Sequence, residues 1–451
     1  MQKKSLKQKD VIQLSDHFNN TRLIRFVLPS VVMMVFTSIY GIVDGLFVIN
    51  FAGGSQFAAI NLVMPLLIIV GAVGFMLGAG GTAIVAKTLG MKEDKLANEY
   101  FSLLVYVTAI LGAIIAVIGI AVARDVSRLL GAEGQTLEYC TTYARIVLIA
   151  LPFFMLQNLF QSLFITAEKP KLGLWVTVAA GVTNIVLDAL FVAAFEWGLE
   201  GAAAATAISQ GVGGIVPVIY FANKNTSLLR LGKTKLYGKM LLDTCINGSS
   251  ELMSNISASL VTILYNYQLM RLEGERGVSA YGVIMYVSFF FVAIFIGFAI
   301  GSSPIVSYHY GADNRDELKN LRKRSLTIVG VTGVVMTAVA LALTVPICIL
   351  FAGGDAHLYE ITLRGFIIYS FSYLMAGLNI YGSAFFTALN NGVISAVISF
   401  LRTLVFQCIT VIILPIFFDM DGVWLSIIVA ELLSLAVTVT FLITKRKKYG
   451  Y

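Results

Sequence analysis

The apolar stretch "GVTNIVLDALFV" carries two polar side chains, Asn184 and Asp188. A carboxylate at the centre of a membrane-spanning helix costs on the order of 3 kcal/mol on insertion scales, so it tends to face a cavity or a partner. Thr177 and Gly181 precede these residues at helical spacing, and the four positions form one polar stripe on an apolar helix. The pattern predicts that Asp188 faces a cavity.

A second stretch, "FTSIYGIVDGLF", repeats this arrangement. Thr37, Gly41 and Asp44 share a helix face, with Tyr40 beside it. A low-dielectric cavity disfavours the charged form of a carboxyl, so such a group can exchange protons near physiological pH. Carboxylate and amide oxygens could instead coordinate Na⁺. We therefore predict that Asp44 and Asp188 bind a coupling cation, H⁺ or Na⁺, and that no other metal is held.

Further polar residues fall in neighbouring apolar segments. Two interpretations stay open for them: they line the pocket of the two aspartates, or they join helices by hydrogen bonds. The second interpretation is weaker for the aspartates, because Arg145 is the only obvious basic partner in their half of the chain. The polar candidates are Tyr143, Gln157, Asn158, Gln161, Thr206, Ser209 and Gln210.

The second half of the chain has its own polar set. Arg402 and Glu431 both fall near the middle of apolar segments, and two opposite charges at one depth neutralise each other more cheaply than either stands alone. We predict a structural ion pair between them. Glu251 has no such partner unless it competes for Arg402, so Glu251 and Asn255 are candidates for a second coupling or substrate position.

Composition sets the class of protein. Of 451 residues, 58% are hydrophobic and only 13% are charged, and the mean hydropathy is +0.85, which is typical of a polytopic membrane protein. The four cysteines have unrelated spacings and the three histidines are isolated. We therefore expect neither disulfides nor a metal centre.

Stretches of about twenty apolar residues predict twelve membrane spans. They are 26–48, 59–86, 99–123, 139–164, 172–195, 200–222, 240–266, 277–303, 325–352, 358–389, 393–418 and 422–444. Most of the 32 Lys and Arg residues fall on the side of the N-terminus. This asymmetry predicts that both termini are cytoplasmic. The net charge of +7 is then explained by loops that face anionic lipid, with no nucleic-acid partner.

Two pairs of segments match at a constant offset of 221 residues. "GTAIVAKTLG" (81–90) matches "SSPIVSYHYG" (302–311), and "NLFQSLFITA" (158–167) matches "NIYGSAFFTA" (379–388). The repeat predicts an all-α membrane protein with two parallel six-helix lobes, related by a pseudo-twofold axis along the membrane normal. The predicted N-lobe is 1–222, the cytoplasmic basic linker is 223–239, and the C-lobe is 240–451.

The repeat also separates the polar residues. At this offset Asp44 falls on Tyr265 and Asp188 falls on Ile409, so neither carboxylate recurs. We interpret the two aspartates as belonging to a task of one lobe. Asn158 does recur in the second half, which favours a structural role, although it stays a candidate for the substrate cavity. The candidates for that cavity are Tyr40, Gln157, Asn158, Gln161 and Asn379.

Several longer stretches resemble a known family. They are "IYGIVDGLFVINFAGGSQFAAINLVMP", "GFMLGAGGTAIVAKTLGMKEDKLAN", "AEKPKLG", "TNIVLDALF" and "GLEGAAAATAISQ". Together they look like the multidrug and toxic compound extrusion (MATE) transporters, in particular a bacterial branch of multidrug exporters. The resemblance covers essentially the whole chain.

The resemblance implies an antiporter with twelve helices in two lobes in the bacterial plasma membrane. Such a protein exports lipophilic or cationic drugs and dyes against an inward flow of H⁺ or Na⁺, and it needs no other cofactor. We expect small molecules and the lipid bilayer as partners, and a monomer. Carried over by motif, the cation-coupling residues are Asp44, Asn184 and Asp188, with Tyr143 and Thr206 as neighbours.

Two other classes were weighed. A lipid-linked oligosaccharide or polysaccharide flippase of the same superfamily would be expected to carry basic cavity residues, and only Arg145, Arg364 and Arg402 fall within spans. An enzyme is less favoured, because no cluster of nucleophile, base and metal ligands is visible in the sequence. Asp44 and Asp188 could imitate the dyad of an intramembrane aspartyl protease.

Overall fold

The computed structural model describes residues 12–52 and 54–451, and every regular element in these ranges is helical. The α-helices are α1 (Asn20–Phe47), α2 (Gly54–Gly90), α3 (Asp94–Leu129), α4 (Gly134–Ile149), α5 (Leu151–Thr166), α6 (Pro170–Asp188), α7 (Gly198–Ala222), α8 (Gly238–Gly311), α9 (Arg315–Ala352), α10 (Ala356–Ser370), α11 (Tyr373–Ala388), α12 (Gly392–Phe400), α13 (Phe406–Thr444) and α14 (Arg446–Tyr449). Three π-helical segments, Val48–Ala52, Ala189–Ala194 and Leu401–Val405, extend α1, α6 and α12.

Long apolar helices make this chain a multi-pass membrane protein. Within the described ranges, eight helices are long and apolar enough to cross a membrane, or up to ten if each of two bent pairs is one span. The bent pairs are α4 with α5, at 55°, and α10 with α11, at 49°. They correspond to the predicted spans 139–164 and 358–389. In the first pair Pro152 stands in the first turn of α5. Its missing N–H is tolerated at the start of a helix, but the same proline would interrupt a helix that continued from α4 into α5.

At two places where the sequence predicts a loop between spans, the structure has a single-residue break within a helical stretch. The predicted spans 240–266 and 277–303 form one helical stretch, α8, with a break at Gly274 (φ 63°, ψ −145°). The predicted spans 393–418 and 422–444 are likewise joined, with a break at Asp419 (φ 47°, ψ −127°) inside α13. The two helices at each of these points are joined without a loop of several residues, because one residue with positive φ reverses the chain where a loop was expected.

Glycines line a seam between the two halves of the chain, where α2 packs against α8. Gly90 lies against the backbone of Tyr308, and Gly311 lies against the backbone of Lys87. The two contacts are equivalent in the repeat: at the offset of 221 residues, Gly90 corresponds to Gly311 and Lys87 corresponds to Tyr308. Gly80 and Gly248 also meet across this seam, and a Cβ at any of these glycines would overlap the facing backbone. The two halves therefore touch main chain to main chain here.

The segment 223–237 between α7 and α8 is packed along α3. Asn98 accepts a hydrogen bond from the Arg230 N–H at 2.6 Å, and Ser102 accepts one from the Gly232 N–H at 3.0 Å. Leu229 is fully buried. The predicted linker is thus fixed to the first half of the chain.

Residues 12–19, which we call the strap, join the two halves at the end of the bundle that carries both termini. The Leu14 N–H donates to Glu168 in the first half at 2.7 Å, and the Phe18 N–H donates to Glu317 in the second half at 2.9 Å. The side chains of Leu14 and Phe18 are completely buried. The strap therefore links the two halves of the chain at this end of the molecule.

Glu317→Ala should loosen the strap, because it leaves the buried Phe18 N–H without an acceptor. We expect the free energy of unfolding to fall by about 1–3 kcal/mol, measured by thermal unfolding in detergent. Asp316→Ala is the matched control: Asp316 shares the first turn of α9, but its side chain is 95% exposed. The control should change stability by no more than about 0.5 kcal/mol, and equal losses in both variants would contradict the strap's role.

Candidate functional site

Close packing of α1 against α6 assembles the site. Gly181 on α6 lies against the rings of Phe36 and Tyr40 on α1, and a Cβ at this position would overlap both rings. The missing side chain lets the two helices approach. One and two turns further along α6, Asn184 and Asp188 consequently come opposite the last turn of α1.

Asp44 and Asp188, separated by most of the first half of the sequence, face each other here. Their carboxyl groups are direct neighbours, and the Asn184 side chain also neighbours Asp44. Asp188 is completely buried, while Asp44 lines a cavity of about 200 Å³. Neither aspartate forms an ion pair within the described part of the chain.

The hydrogen-bonding capacity of this pair is not met. Both carboxyl oxygens of Asp188 and Oδ1 of Asp44 are buried without a hydrogen-bond partner in ranges 12–52 and 54–451. A buried carboxylate without a donor or counter-charge is costly. Two facing carboxyls can remove this cost by sharing a proton or by coordinating a cation through their oxygens.

The cavity beside Asp44 supplies further oxygen atoms. Tyr143 lies next to both carboxyls and to Thr206. Thr206 Oγ1 and Gln210 Oε1 are buried without a partner among the described residues, and both residues line the same cavity. The remaining wall is largely apolar, from α2, α4 and α5. The arrangement suits a small cation bound by carboxyl, hydroxyl and amide oxygens.

Irregular helical turns adjoin the intramembrane charges. The π-helical segment Ala189–Ala194 starts directly after Asp188, and Val48–Ala52 starts one turn after Asp44. The third such segment, Leu401–Val405, contains Arg402. π-helical turns occur frequently at functional sites in proteins.

In the second half, Arg402 and Glu431 lie in contact. Arg402 donates to Glu431 through Nη2 at 2.8 Å and through Nε at 2.9 Å. The Asn379 amide donates to the same carboxylate at 2.7 Å. Glu431 is only 2% exposed. Asn379 thus orients a charge pair, in addition to lining a cavity.

That cavity, which we call the Glu251 cavity, has a volume of about 160 Å³ and is bordered by Glu251, Arg402 and Asn379. Ser162 from the first half also lines it. Within the described ranges Glu251 has no ion-pair partner. Asn255, one turn away, donates to the Glu251 backbone carbonyl at 2.8 Å and does not border the cavity.

The candidates for the substrate cavity do not come together. Tyr40 lines the cavity beside Asp44. Gln157 on α5 contacts the Tyr40 side chain. Asn158 reaches the Gly71 carbonyl at 3.4 Å, and Gln161 has a buried, unpartnered Oε1. Neither Asn158 nor Gln161 borders the two cavities described above.

A group of buried hydroxyls in the second half of the chain was not predicted from the sequence. Ser383 and Thr387 on α11 face Ser395 and Ser399 on α12, and all four side chains are buried. The available signal was the i, i+4 spacing of hydroxyl residues on two neighbouring spans. Such pairs are common in membrane helices, where each hydroxyl can bond to its own helix.

A multi-pass, all-helical membrane protein with two facing carboxyl groups beside a cavity has the features of a membrane transporter. The MatE family model matches residues 29–190 and 252–413, more than half of the chain. The chain therefore belongs to the MatE family of multidrug and toxic compound extrusion transporters. The recognition of this family from sequence motifs is confirmed.

Curated relatives are multidrug export proteins called MepA. The protein from Staphylococcus saprophyticus is 26% identical over 323 residues, 71% of this chain and 70% of the relative. The one from Staphylococcus haemolyticus is 26% identical over 71% of each chain. The one from Staphylococcus aureus is 25% identical over 70% of each chain.

Solved structures share the fold at low identity. A structure of MATE in complex with MaL6 aligns with a TM-score of 0.92 and 20% identity, covering 98% of this chain and 99% of the other. An outward-facing conformation of a multidrug resistance MATE family transporter aligns with a TM-score of 0.92 and 20% identity over 98% of both chains.

Proposed function

We propose that the protein is a cation-driven antiporter that exports lipophilic or cationic small molecules. The observation that carries the proposal is the Asp44–Asp188 pair, which has no counter-charge among the residues that the structure describes and leaves buried oxygens unpaired there. A cation from the higher-concentration side would relieve that cost. The names of the MepA relatives support drug-like substrates.

The architecture we propose is twelve spans in two lobes. Division of α8 at Gly274 and of α12–α13 at Asp419 adds two spans to the ten counted above. Helix boundaries recur near the repeat offset: α3 and α9 begin at Asp94 and Arg315, and the two bent pairs break at Ala150 and Phe371. Two separate matches to the family model support the same division.

Both termini would lie in the cytoplasm, as the basic segments indicate. The glycine seam and the strap then close the cytoplasmic end, and the carboxyl pair lies in the outer half of the first lobe. The structure would correspond to an outward-facing state of a monomer, ready to exchange its cation with the exterior.

Coupling would work through charge. Binding of a cation between Asp44 and Asp188 removes their mutual repulsion and lets α1 and α6 pack more tightly around Gly181. A ligand shifts a conformational equilibrium only by its differential affinity for the two states. We propose that the cation favours the conformation that is closed to the exterior, and that substrate binding favours its release.

The test is dye efflux from proteoliposomes with a pH gradient and a Na⁺ gradient imposed separately. With a lipophilic cationic dye such as ethidium, at least one gradient should drive transport, and dissipating that gradient should stop it. Transport at the same rate with neither gradient would overturn cation coupling.

The flippase alternative is not favoured by the arginines. Arg402 is neutralised by Glu431, and Arg364 is 68% exposed and bonded to Asp421. Arg145 is also exposed. None of the three offers an unpaired cation inside the two cavities for a lipid pyrophosphate.

A further inference from the structure

A continuous chain of hydroxyl groups runs along one wall of the Glu251 cavity. The Ser399 and Ser383 hydroxyls are 2.8 Å apart, and those of Ser383 and Ser395 are also 2.8 Å apart. Thr387 completes the chain at 2.7 Å from the Ser395 hydroxyl. Each hydroxyl can donate and accept at once, so neighbouring groups can pass a proton along.

The chain runs toward the end of the bundle that carries both termini. Ser399 lies one turn before Arg402, deep in the molecule, whereas Thr387 is the next-to-last residue of α11. The start of α12 is at the same end, because Asn391 donates to the hydroxyl of Tyr449 near the C-terminus at 2.6 Å.

A second cavity, which we call the terminal basin, lies just beyond Thr387. It has a volume of about 730 Å³ and is lined by charged side chains, including Lys87 and Asp243, and by Asn247. Asn247 precedes Glu251 by four residues on α8, so the basin and the Glu251 cavity are about 6 Å apart along that helix.

Asn247 closes the gap between them. Its amide nitrogen donates to the Thr387 carbonyl at 2.9 Å, and its Oδ1 is buried without a partner. An unpaired buried amide oxygen costs free energy unless a water reaches it. The vacant acceptor therefore marks a place where water can enter from the basin and meet Thr387.

The Ser399 end of the hydroxyl chain is close to Glu251, whose carboxyl group can carry a proton. Glu251 has no ion-pair partner among the residues described, and the 160 Å³ of its cavity can hold about five waters at roughly 30 Å³ each. Arg402, the other charge on this cavity, is bonded to Glu431. Waters can thus connect the Glu251 carboxyl with the Ser399 hydroxyl.

We infer that the four hydroxyls Ser399, Ser383, Ser395 and Thr387 relay protons from the Glu251 cavity to the terminal basin, with Asn247 as the plug at the exit. Glu251 gives up a proton to water, each hydroxyl accepts one proton and passes its own on, and a basin water takes the last. The inference rests on the proposed function, because a relay serves a proton-coupled transporter. Thr387 also lines the Glu251 cavity but does not line the terminal basin, so basin water takes its proton only when the lobes separate at the terminal end.

Thr387→Val tests the relay, since it removes the hydroxyl and keeps the shape. In proteoliposomes with an internal pH-sensitive dye, substrate-driven proton flux should fall at least tenfold. Thr387→Ser should restore it. Thr344→Val is the control, because this buried hydroxyl bonds only to the Ala340 carbonyl of its own helix, and its flux should equal that of the wild type. Substrate affinity, measured by fluorescence in detergent, should be unchanged in all three.

Asn247→Ala provides the independent readout. Without the plug, proton leak in the absence of substrate should rise several-fold, and a leak at the wild-type rate would overturn the role of Asn247. Wild-type flux in Thr387→Val would overturn the relay itself. Wild-type export driven by Na⁺ alone, without proton movement, would also overturn the relay and leave the proposed export function standing.

Discussion

Asp44→Asn should abolish gradient-driven dye efflux, down to the level of protein-free liposomes, and Asp188→Asn should do the same. In the proposed cation site two carboxyls share one buried space, with no counter-charge from the described part of the chain. An amide in place of either group keeps the volume but removes the charge that a cation must neutralise. The measurement is ethidium efflux from proteoliposomes under the gradient that drives the wild type.

The thermal stability of the Asp44→Asn variant should not fall, in contrast to its efflux activity. Removal of one of two buried like charges relieves repulsion, so the unfolding temperature of Asp44→Asn at neutral pH should equal or exceed that of the wild type. Asp125→Asn is the control: this carboxylate is 75% exposed beside Arg128 and should leave efflux unchanged. Efflux at wild-type rates in both active variants would refute the cation site.

The same variants address the protease alternative. An aspartyl dyad would cleave peptides, and that activity would be lost in Asp44→Asn and Asp188→Asn while efflux persisted. We expect the reverse, with efflux lost and no peptide cleavage by the wild type. A peptide-library digest with the purified protein makes this comparison.

Arg402→Leu should be the most destabilising single change in the second half. Glu431 is 2% exposed, and removal of its partner leaves a buried, uncompensated carboxylate at a cost of about 3–5 kcal/mol. Thermal unfolding in detergent, followed by tryptophan fluorescence, measures the loss. Trp424, which is buried in the second half, reports on this region.

Two comparisons separate charge burial from loss of an arginine. The double variant Arg402→Leu/Glu431→Leu should regain most of the lost stability, because no isolated charge remains. Arg364→Leu breaks an ion pair to Asp421 that is largely exposed, so it should cost no more than about 1 kcal/mol. Equal losses for Arg402→Leu and Arg364→Leu would contradict a buried charge pair.

The charged part of the candidate site could be predicted from sequence. Asp44, Asp188, Arg402 and Glu431 interrupt apolar segments, and intramembrane charges are too costly to be placed without a partner or a task. The helical stripe through Gly181 and Asn184 also indicated which face the first pair would share. The free-energy cost of placing a charge within the membrane was enough to select these residues.

Neutral polar residues were harder to place. Amides and hydroxyls cost little in a helix, because they can bond to their own backbone. No sequence signal indicated that Gln157 contacts Tyr40, whereas recurrence in the second half favoured a structural role for Asn158, which bonds to a neighbouring helix. The link between Ser383 and Ser395 depends on how α11 and α12 pack, and the spacing along either helix does not contain that information.

The form of two connections between predicted spans was also beyond prediction. The chain reverses at Gly274 and at Asp419 through one residue with positive φ. Hydropathy finds the drop in apolar character near these points, but it does not distinguish a single-residue break from a loop of several residues.

The glycine seam has a consequence for how the closed end responds to its surroundings. Across it α2 and α8 meet through main-chain contacts, and among the described residues no ion pair joins these two helices. Dissolved salt screens charges but leaves short-range dispersion contacts unaffected. The main-chain contacts of the seam should therefore hold equally well at low and high salt concentration, and a change in ionic strength should not by itself part α2 from α8.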